Sequence, residues 1–472
     1  MKNTLLAVAM ASALLAIPSH AQDAAPAAAP APAPAPVPPA APPKPPEIFK
    51  PETAATLRAA QKEVQLAVGK EVNMGKMLAL YTKFKFSPEL QPKLKEIFGT
   101  ERPFAIQRVA NGPKGQINYV GGLAPYTYLQ GNGTDFTWTE MALKLSTDKA
   151  GRALNTDSTW PSLMVTRPGG SVSFNDISMT TRAVYGADQV GYGTALIKVG
   201  SVVVRDSAPG SREIKEMMRF EGVEAKSDVR RRGAMAEIVY SNTIKAIVVG
   251  DERVERSNFA IRITNVPAKA LAEMTKQLRD QQGANMEDQA EVKRTLKTMT
   301  DFGKRMIAAG ATLFIDDISA AYRGNVASLK GRVSFQKVVE ADFGNLNALM
   351  KKIAAHFEVR VPVALVRDVA RVFAGKSVDP SAPDAAKQID AGADAMVSMV
   401  VGKTVSGGFG TLVQDELRTV IDIKDGKVTV NGKAIEVPAG VLNSLKAQPA
   451  PQPVQAPVPT AKPAPEPKAE AQ

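Results

Sequence analysis

The chain of 472 residues lacks cysteine altogether and contains only two histidines and two tryptophans. Without cysteine it can form no disulfide, and it has neither a thiolate nucleophile nor a thiolate metal ligand. Two histidines are also too few for the usual structural zinc sites. The stability of the protein must therefore come from burial of apolar side chains and from strand pairing, which a chain of this length can supply.

Long apolar runs are also absent, apart from the thirteen residues Leu5–Ile17. A helix that spans a bilayer needs about 20 such residues. Lys2 precedes the run, and Ser19–Ala21 places small residues at the two positions that signal peptidase reads. The pattern predicts a signal peptide of residues 1–21, cleaved between Ala21 and Gln22. We therefore expect a periplasmic protein, with association with the inner membrane left open.

Both ends of the chain are poor in large apolar side chains. Residues 22–50 are mostly alanine and proline, with eleven prolines from Pro26 to Pro46, and residues 447–472 have a similar composition. Such segments cannot bury enough apolar surface to offset the entropy of ordering them. We predict a disordered spacer over 22–50, a helical segment over 51–100, an α+β body over 101–446 and a disordered tail over 447–472.

Acidic residues are outnumbered by basic ones, which gives a net charge of +12 and a pI of about 9.5. Both proline-rich ends are neutral, so the excess lies on the folded part. This favours an anionic partner, which in the envelope would be a lipid headgroup, an acidic glycan or an acidic protein. An exported protein rarely meets nucleic acid, so we expect no nucleic-acid partner. The densest basic run, Arg230–Arg232, is more typical of a solvated strand end than of an anion contact.

The residue pattern changes twice along the body. Helical spacing of apolar residues over Glu52–Val68 gives way, from Arg102 to Thr264, to alternating stretches separated by turn signals. Helical patterns return at Pro267–Gln282 and Met286–Ala309, and strands and helices alternate beyond them. We predict an α+β fold in which a long, curved antiparallel β-sheet, mostly a meander, has helices packed on one face.

The C-terminal part of the body contains the clearest local signals. Asp425-Gly426 and Asn431-Gly432 predict two tight hairpin turns. The run VIDIKDGKVTVNGKAIEVP, which ends at Pro438, resembles the C-terminal signature of the YdgA-like family of bacterial envelope proteins of unknown function. NFAIRITNVPAKALAEM and AAGATLFIDDISAAYRGNVASLKGRVSF resemble two further segments of that family. The resemblance implies a mostly antiparallel β body at the inner membrane or in the periplasm, and it implies no catalytic residues.

Few residues are candidates for chemistry. Once the signal peptide has been removed, His356 is the only imidazole. A Ser-His-Asp or Cys-His site would need it, but no Gly-x-Ser-x-Gly motif accompanies it, and we interpret it as a surface or capping residue. Asp316 and Asp317 are adjacent in a predicted strand, so they should point to opposite faces and cannot alone form a glycosidase pair. The Asp415–Glu416 pair has no better claim.

Two further motifs have structural interpretations. Gly407–Gly410 resembles part of a phosphate-binding loop but lacks the Gly-Lys-Ser/Thr ending and follows a predicted helix, so we expect a helix-to-strand connection. Trp138, Trp160, Tyr126, Tyr128 and Tyr185 lie in the β region, where aromatic residues are more often core than binding surface.

The sequence thus offers no catalytic, cofactor-binding or metal-binding residues, and we expect a non-enzymatic envelope protein that binds or scaffolds without a cofactor. Two alternatives stay open. A carrier of an apolar ligand, such as a lipid acyl chain, would need an apolar groove on the sheet face away from the helices. A hydrolase that uses carboxylates alone would need two inward-facing acids about 5 to 9 Å apart. Homodimerisation is a further hypothesis, because it would cover exposed sheet edges.

Overall fold

The computed structural model describes residues 48–69, 71–207, 213–280 and 289–435. Over these residues the protein has eight α-helices and an antiparallel β-sheet of 18 strands. The predicted α+β class with a dominant antiparallel sheet is therefore confirmed. The predicted signal peptide, its cleavage site between Ala21 and Gln22, most of the spacer and the C-terminal tail lie outside the described residues.

The elements follow one another in three groups. The first group is helical: α1 Pro51–Val68, α2 Met74–Lys83 and α3 Gln91–Phe98. The second group consists of strands: β1 Ile106–Arg108, β2 Ile117–Leu123, β3 Tyr126–Leu129, β4 Asp135–Trp138, β5 Met141–Thr147, β6 Ala153–Arg167, β7 Gly170–Tyr185, β8 Gly191–Ser207, β9 Ile214–Arg232, β10 Met235–Val249 and β11 Glu252–Pro267. The third group is mixed: α4 Ala268–Asp280, α5 Gln289–Ala308, β12 Thr312–Tyr322, β13 Asn325–Phe335, α6 Leu346–Met350, β14 Ile353–Pro362, α7 Val363–Gly375, α8 Ala385–Ser406, β15 Thr411–Val413, β16 Glu416–Lys424, β17 Lys427–Val430 and β18 Lys433–Ile435. None of the helices within the described ranges is both long and apolar enough to cross a membrane.

Local sequence signals explain the first three helices. α1 begins at Pro51, a position where the missing N–H of proline costs nothing. α2 is capped by Asn73, whose side chain accepts a hydrogen bond from the backbone N–H of Lys76 at 3.0 Å. α3 ends at Gly99, which has a φ of +72°. Proline and glycine signals in the sequence also predict a short helix that begins near Ser87 or at Gln91 and stops at Gly99, which is α3, whereas no signal predicted α2.

The described residues form two compact units. Unit 1 comprises the described residues up to Glu224 together with Ile247–Glu252, and unit 2 comprises Ala225–Ala246, Arg253–Asp280 and the described residues from Gln289 onward. In unit 1, strands β5 to β8 each pair antiparallel with the next strand in sequence, as the predicted meander requires.

Unit 1 has its main core between α2 and the sheet. Leu78 of α2 is fully buried and packs with Met77 against a cluster that includes Tyr119, Leu143 and Leu145 of β2 and β5. Alternation along the strands brings these side chains to one face. Burial of this face accounts for the docking of α2 on the sheet.

A second core of unit 1 is aromatic. Trp138 is buried, and its indole N–H donates to the carbonyl oxygen of Ala124 at 3.0 Å. The ring of Phe49 stacks on Phe136 with 5.0 Å between centroids, and Gln130 accepts a hydrogen bond from the backbone N–H of Lys50. The last residues of the predicted spacer are therefore packed against strands β3 and β4 of this unit.

The long alternating run Val190–Val204 predicts a bulge or bend at Gly200, within strand β8. The register of β8 with β7 is the same on both sides of Gly200, from Asn175 opposite Ser201 to Ser178 opposite Lys198, so the structure has no bulge there. Asp176 of the partner strand β7 has a φ of +53°, and a Cβ on Gly200 would lie only 2.8 Å from the Cβ of Asp176. The absent side chain at Gly200 thus permits the close approach of the two strands.

Unit 2 contains the strand ladder that bears the candidate site. Strands β11, β12, β13 and β14 pair antiparallel in order, β14 then pairs with β16, and β16 also pairs with β15 and β17. Helices α7 and α8 pack on each other through Ala370, Ala393 and Val397. The predicted hairpin turns at 425–426 and 431–432 are both present.

Candidate functional site

One face of the unit 2 sheet carries many charged side chains, and we call it the charged face. It arises from strand alternation, because every second residue of a strand points to the same side. The register places Arg332, His356 and Asp422 next to one another across β13, β14 and β16, with Lys330 beside Glu358 in the following row. Over β13, β14, β16 and β17, the ionisable members of the charged face are Lys330, Arg332, His356, Glu358, Arg360, Glu416, Arg418, Asp422, Lys424 and Lys427.

His356 lies within the charged face, and 39% of its side chain is exposed. Its Nδ1 atom is 2.8 Å from Oδ1 of Asp422, and its Nε2 atom is 3.3 Å from Oε1 of Glu358. Arg360 donates to the other carboxylate oxygen of Glu358 at 3.3 Å. Because both ring nitrogens face carboxylates, the doubly protonated imidazolium matches the site better than a neutral tautomer.

These contacts shift the pKa of two groups in opposite directions. The hydrogen bond to Asp422, followed by the one to Glu358, raises the pKa of His356 above its ordinary value. Hydrogen bonds from His356 and then Arg360 lower the pKa of Glu358. Both shifts favour the charged forms, so the pair is an ion pair at mildly acidic pH.

The arrangement around His356 is that of an ion-pair network. A catalytic histidine acting as a general base needs a ring nitrogen that can accept a proton from a nucleophile. In the described part of the chain, the ring nitrogens of His356 contact only Asp422 and Glu358. Within the same residues, no three His, Asp or Glu side chains are placed to hold a metal ion. The cluster can change its net charge reversibly, because its groups bind and release protons.

The charged face has more cations than anions. The acids that β14 and β16 contribute to it are Glu358, Glu416 and Asp422, and each of them contacts a histidine or arginine of the same face. Four exposed basic residues have no acidic partner within the described ranges: Lys330, Arg332, Lys424 and Lys427. These four side chains are free to contact an anion.

The two adjacent acids of β12 do not alternate as the sequence predicted. The register between β11 and β12 shifts at this point, so that Asp317 opposes Ala260 while Ile315 opposes Ile261. Asp316 accepts from Arg262 at 2.9 Å and Asp317 accepts from Asn258, two residues on the same side of β11. Both carboxylates therefore lie on one face. The prediction of opposite faces is wrong because a β-bulge inserts an extra residue.

The basic run Arg230–Arg232 ends strand β9, as the sequence interpretation favoured. Arg230 binds Asp228 at 2.6 Å, and Arg232 binds Glu237 at 2.9 Å. Both acids are buried. Two of the three arginines thus neutralise buried carboxylates, and this run is a poorer candidate for an anion contact than the charged face.

The other candidates from the sequence lie in a connection, beside the aromatic core of unit 1, in a turn or in an ion pair. The Gly407–Gly410 segment connects α8 to β15, as predicted. Trp160 donates its indole N–H to the carbonyl oxygen of Thr139, beside the aromatic core of unit 1. Asp415 lies in a turn, whereas Glu416 binds Arg418 at 2.8 Å on the charged face.

Sequence reasoning did not single out Lys330 and Arg332. Their signal is the alternation of Ser328-Leu-Lys330-Gly-Arg332-Val, which places basic residues on one side of a strand. This alternation does not reveal that His356 and Asp422 lie on the same face, because that depends on the register of the paired strands. The register joins residues 66 positions apart in the chain.

Comparison with known proteins gives one match. Residues 71–438 match the model of a family described as a bacterial protein of unknown function, DUF945. The matched range extends over both compact units. No curated protein and no solved structure matches the chain.

Proposed function

We propose, from the premise that this chain belongs to the bacterial family of unknown function DUF945, that it binds an anionic component of the cell envelope on its charged face. The observation that supports this is the set of exposed cations with no acidic partner in the described residues. Lys330 and Arg332 lie about 7 Å apart along β13, and Lys424 and Lys427 oppose each other across β16 and β17. An array of this kind suits the phosphates of lipid headgroups or the carboxylates and sulfates of an acidic glycan.

We further propose that the protein is a non-enzymatic, YdgA-like member of the family that works in the periplasm. Support for the location comes from the signal-peptide pattern of residues 1–21. Support for the YdgA-like type comes from the resemblance of three sequence segments described above. No specific observation favours the carrier or the carboxylate-only hydrolase, and we do not propose either.

The proposal is tested with the double variant Lys330→Gln/Arg332→Gln. We expect it to weaken binding to phosphatidylglycerol-containing vesicles or to heparin by about tenfold or more, because each basic residue near an anionic surface contributes about 1 kcal/mol. Binding of the wild type should also fall as salt is added. The two probes distinguish a lipid headgroup from an acidic glycan as the source of the anion.

The matched control is Lys62→Gln/Lys93→Gln, which removes the same charge from two exposed lysines of α1 and α3. This control should bind both probes nearly as well as the wild type. Equal loss of binding in the two double variants would mean that only net charge matters, and the charged face would then not be the site.

A further inference from the structure

The segment Ala395–Val413 combines an apolar sequence with exposure to solvent. Its nineteen residues include one charged side chain, Lys403. The segment comprises the C-terminal half of α8, the Gly407–Gly410 connection and the short strand β15. We call it the apolar segment.

Large side chains of the apolar segment are unusually open to solvent. Between 38% and 55% of the surface is exposed in each of Met399, Val400, Val405, Phe409, Leu412 and Val413. Single exposed apolar residues are common on protein surfaces, whereas clusters of them are typical of interaction sites, and these six lie within fifteen residues of the chain. Packing within unit 2 does not account for these side chains, because α8 contacts α7 through other residues, Ala393 and Val397.

The backbone that presents these side chains is held in place. Phe409 accepts a hydrogen bond at its carbonyl oxygen from the hydroxyl of Thr419 at 2.8 Å. The carbonyl oxygen of Gly408 accepts from the side-chain amide of Asn431 at 3.2 Å. The Phe409 ring is therefore displayed on a connection whose backbone is fixed at Gly408 and at Phe409 itself, which reduces the entropy lost on binding.

Two lysines that lie in or beside the apolar segment have no ion-pair partner in the described residues. Lys403 lies inside it, and the Nζ of Lys433 is 3.6 Å from the position that a Cβ on Gly408 would occupy. Neither lysine has an acidic partner within the described residues. The acid that precedes the segment, Asp394, is bound to Arg367, and the acid that follows it, Asp415, lies in the turn after β15.

We propose that the apolar segment docks on an anionic lipid membrane. Phe409, Leu412 and Met399 enter the interface between headgroups and acyl chains, while Lys403 and Lys433 contact lipid phosphates. Exposed aromatic and aliphatic side chains beside unpaired lysines provide the two attractions that hold a protein on such a surface, apolar burial and charge. This docking goes beyond the proposed function and uses none of the residues of the charged face.

The test is cosedimentation with vesicles of phosphatidylcholine and phosphatidylglycerol. Phe409→Ser/Leu412→Ser should weaken binding by about tenfold or more, because burial of two large apolar side chains is lost. The matched control is Leu296→Ser/Met299→Ser on α5, whose side chains are 54% and 49% exposed, and it should bind like the wild type. Both variants should keep the wild-type thermal midpoint, since they truncate exposed side chains.

Insertion has its own readout. The variant Phe409→Trp adds one tryptophan to the two that the chain already has. Brominated lipids should quench its fluorescence more than that of the wild type, whereas Leu296→Trp should show no such additional quenching. Unchanged vesicle binding of Phe409→Ser/Leu412→Ser, or no additional quenching of Phe409→Trp, would overturn the proposal. The proposal would also be overturned if light scattering showed a dimer that Phe409→Ser/Leu412→Ser dissociates while vesicle binding stays unchanged.

The same assay separates this inference from the proposed function. Loss of vesicle binding in Lys330→Gln/Arg332→Gln with full binding by Phe409→Ser/Leu412→Ser would support the charged face and overturn membrane docking by the apolar segment. Heparin binding that survives in Phe409→Ser/Leu412→Ser while vesicle binding is lost would support docking by the apolar segment and leave the charged face intact.

Discussion

At the scale of single residues, His356 couples the charge of the sheet face to pH. The pKa of His356 is raised in the folded protein above its unfolded value of about 6.5. Its ion pairs therefore stabilise the fold fully below about pH 6.5, and this contribution is lost as the pH rises through the raised pKa. The lowered pKa of Glu358 acts in the opposite sense, because its contribution is lost as the pH falls into the acid range.

We predict that His356→Gln destabilises the protein more at about pH 5.5 than at about pH 8.5. The difference should stay below about 1 kcal/mol, because the side chains involved are partly exposed and solvent screens them. Urea unfolding of the wild type and of the variant at the two pH values measures it. A difference in unfolding free energy that does not change with pH would contradict the prediction.

Asp422 provides the matched control for this pH dependence. Its hydrogen bond is the largest cause of the raised pKa of His356, so Asp422→Asn should lower that pKa. Ring-proton NMR follows it directly, since His356 is the only histidine of a chain that begins at Gln22.

The sequence suggested that His356 is a surface or capping residue and could not identify its partners. Asp422 becomes a neighbour of His356 only when β14 pairs with β16. The same limit applies to Asp316 and Asp317. Alternation predicted opposite faces for them, and a bulge that depends on the partner strand reversed the result.

At the scale of elements, the best predictions rested on helical spacing and on glycine turns. The spacing of apolar residues predicted α1 from Glu52, one residue after its start, and Asp425-Gly426 and Asn431-Gly432 marked the hairpins between β16, β17 and β18. Helix α2 was missed because its cap, Asn73, precedes a segment whose apolar residues continue on more than one side. Such helices are defined by what they pack on.

The turn between β15 and β16 differs from the other hairpins of unit 2. Gln414 and Asp415 form a two-residue loop in which both residues have positive φ, +50° and +61°. The comparable loops at 323–324, 425–426 and 431–432 have glycine at their second position. A residue other than glycine in the left-handed region costs about 1 kcal/mol.

We therefore predict that Asp415→Gly stabilises the protein by about 0.5 to 1 kcal/mol. The carbonyl oxygen of Asp415, which accepts from the backbone N–H of Val363, is retained in this variant. Gly432→Ala serves as the opposite control, since Gly432 has a φ of +77° and open space where a Cβ would lie. Denaturant midpoints should shift up for the first and down for the second, and a lower midpoint for Asp415→Gly would show that the side chain has a stabilising role.

At the scale of the whole molecule, composition predicts an anionic partner but does not locate a site for it. Net charge indicated an anionic partner, and the most conspicuous basic run, Arg230–Arg232, proved to be tied to buried acids. The unpaired cations instead come from Lys330, Arg332 and their neighbours, which are dispersed along the sequence and gathered by strand pairing. Exposure of the apolar segment was likewise unpredictable, because apolar helices are usually buried.

The signal-peptide prediction and the proposed docking of the apolar segment together predict how the protein would be attached to the envelope. If residues 1–21 are removed, we expect the intact mass of the protein from a periplasmic extract to correspond to a chain that begins at Gln22. The fraction that sediments with membranes should be released by alkaline carbonate without detergent, because a docked surface buries far less apolar area than a spanning helix.

Ala21→Arg, which removes the small residue that the peptidase reads, should keep the N-terminal segment and require detergent for release. An uncleaved wild-type chain found only with membranes would contradict the signal-peptide prediction, and attachment would then be assigned to an N-terminal anchor.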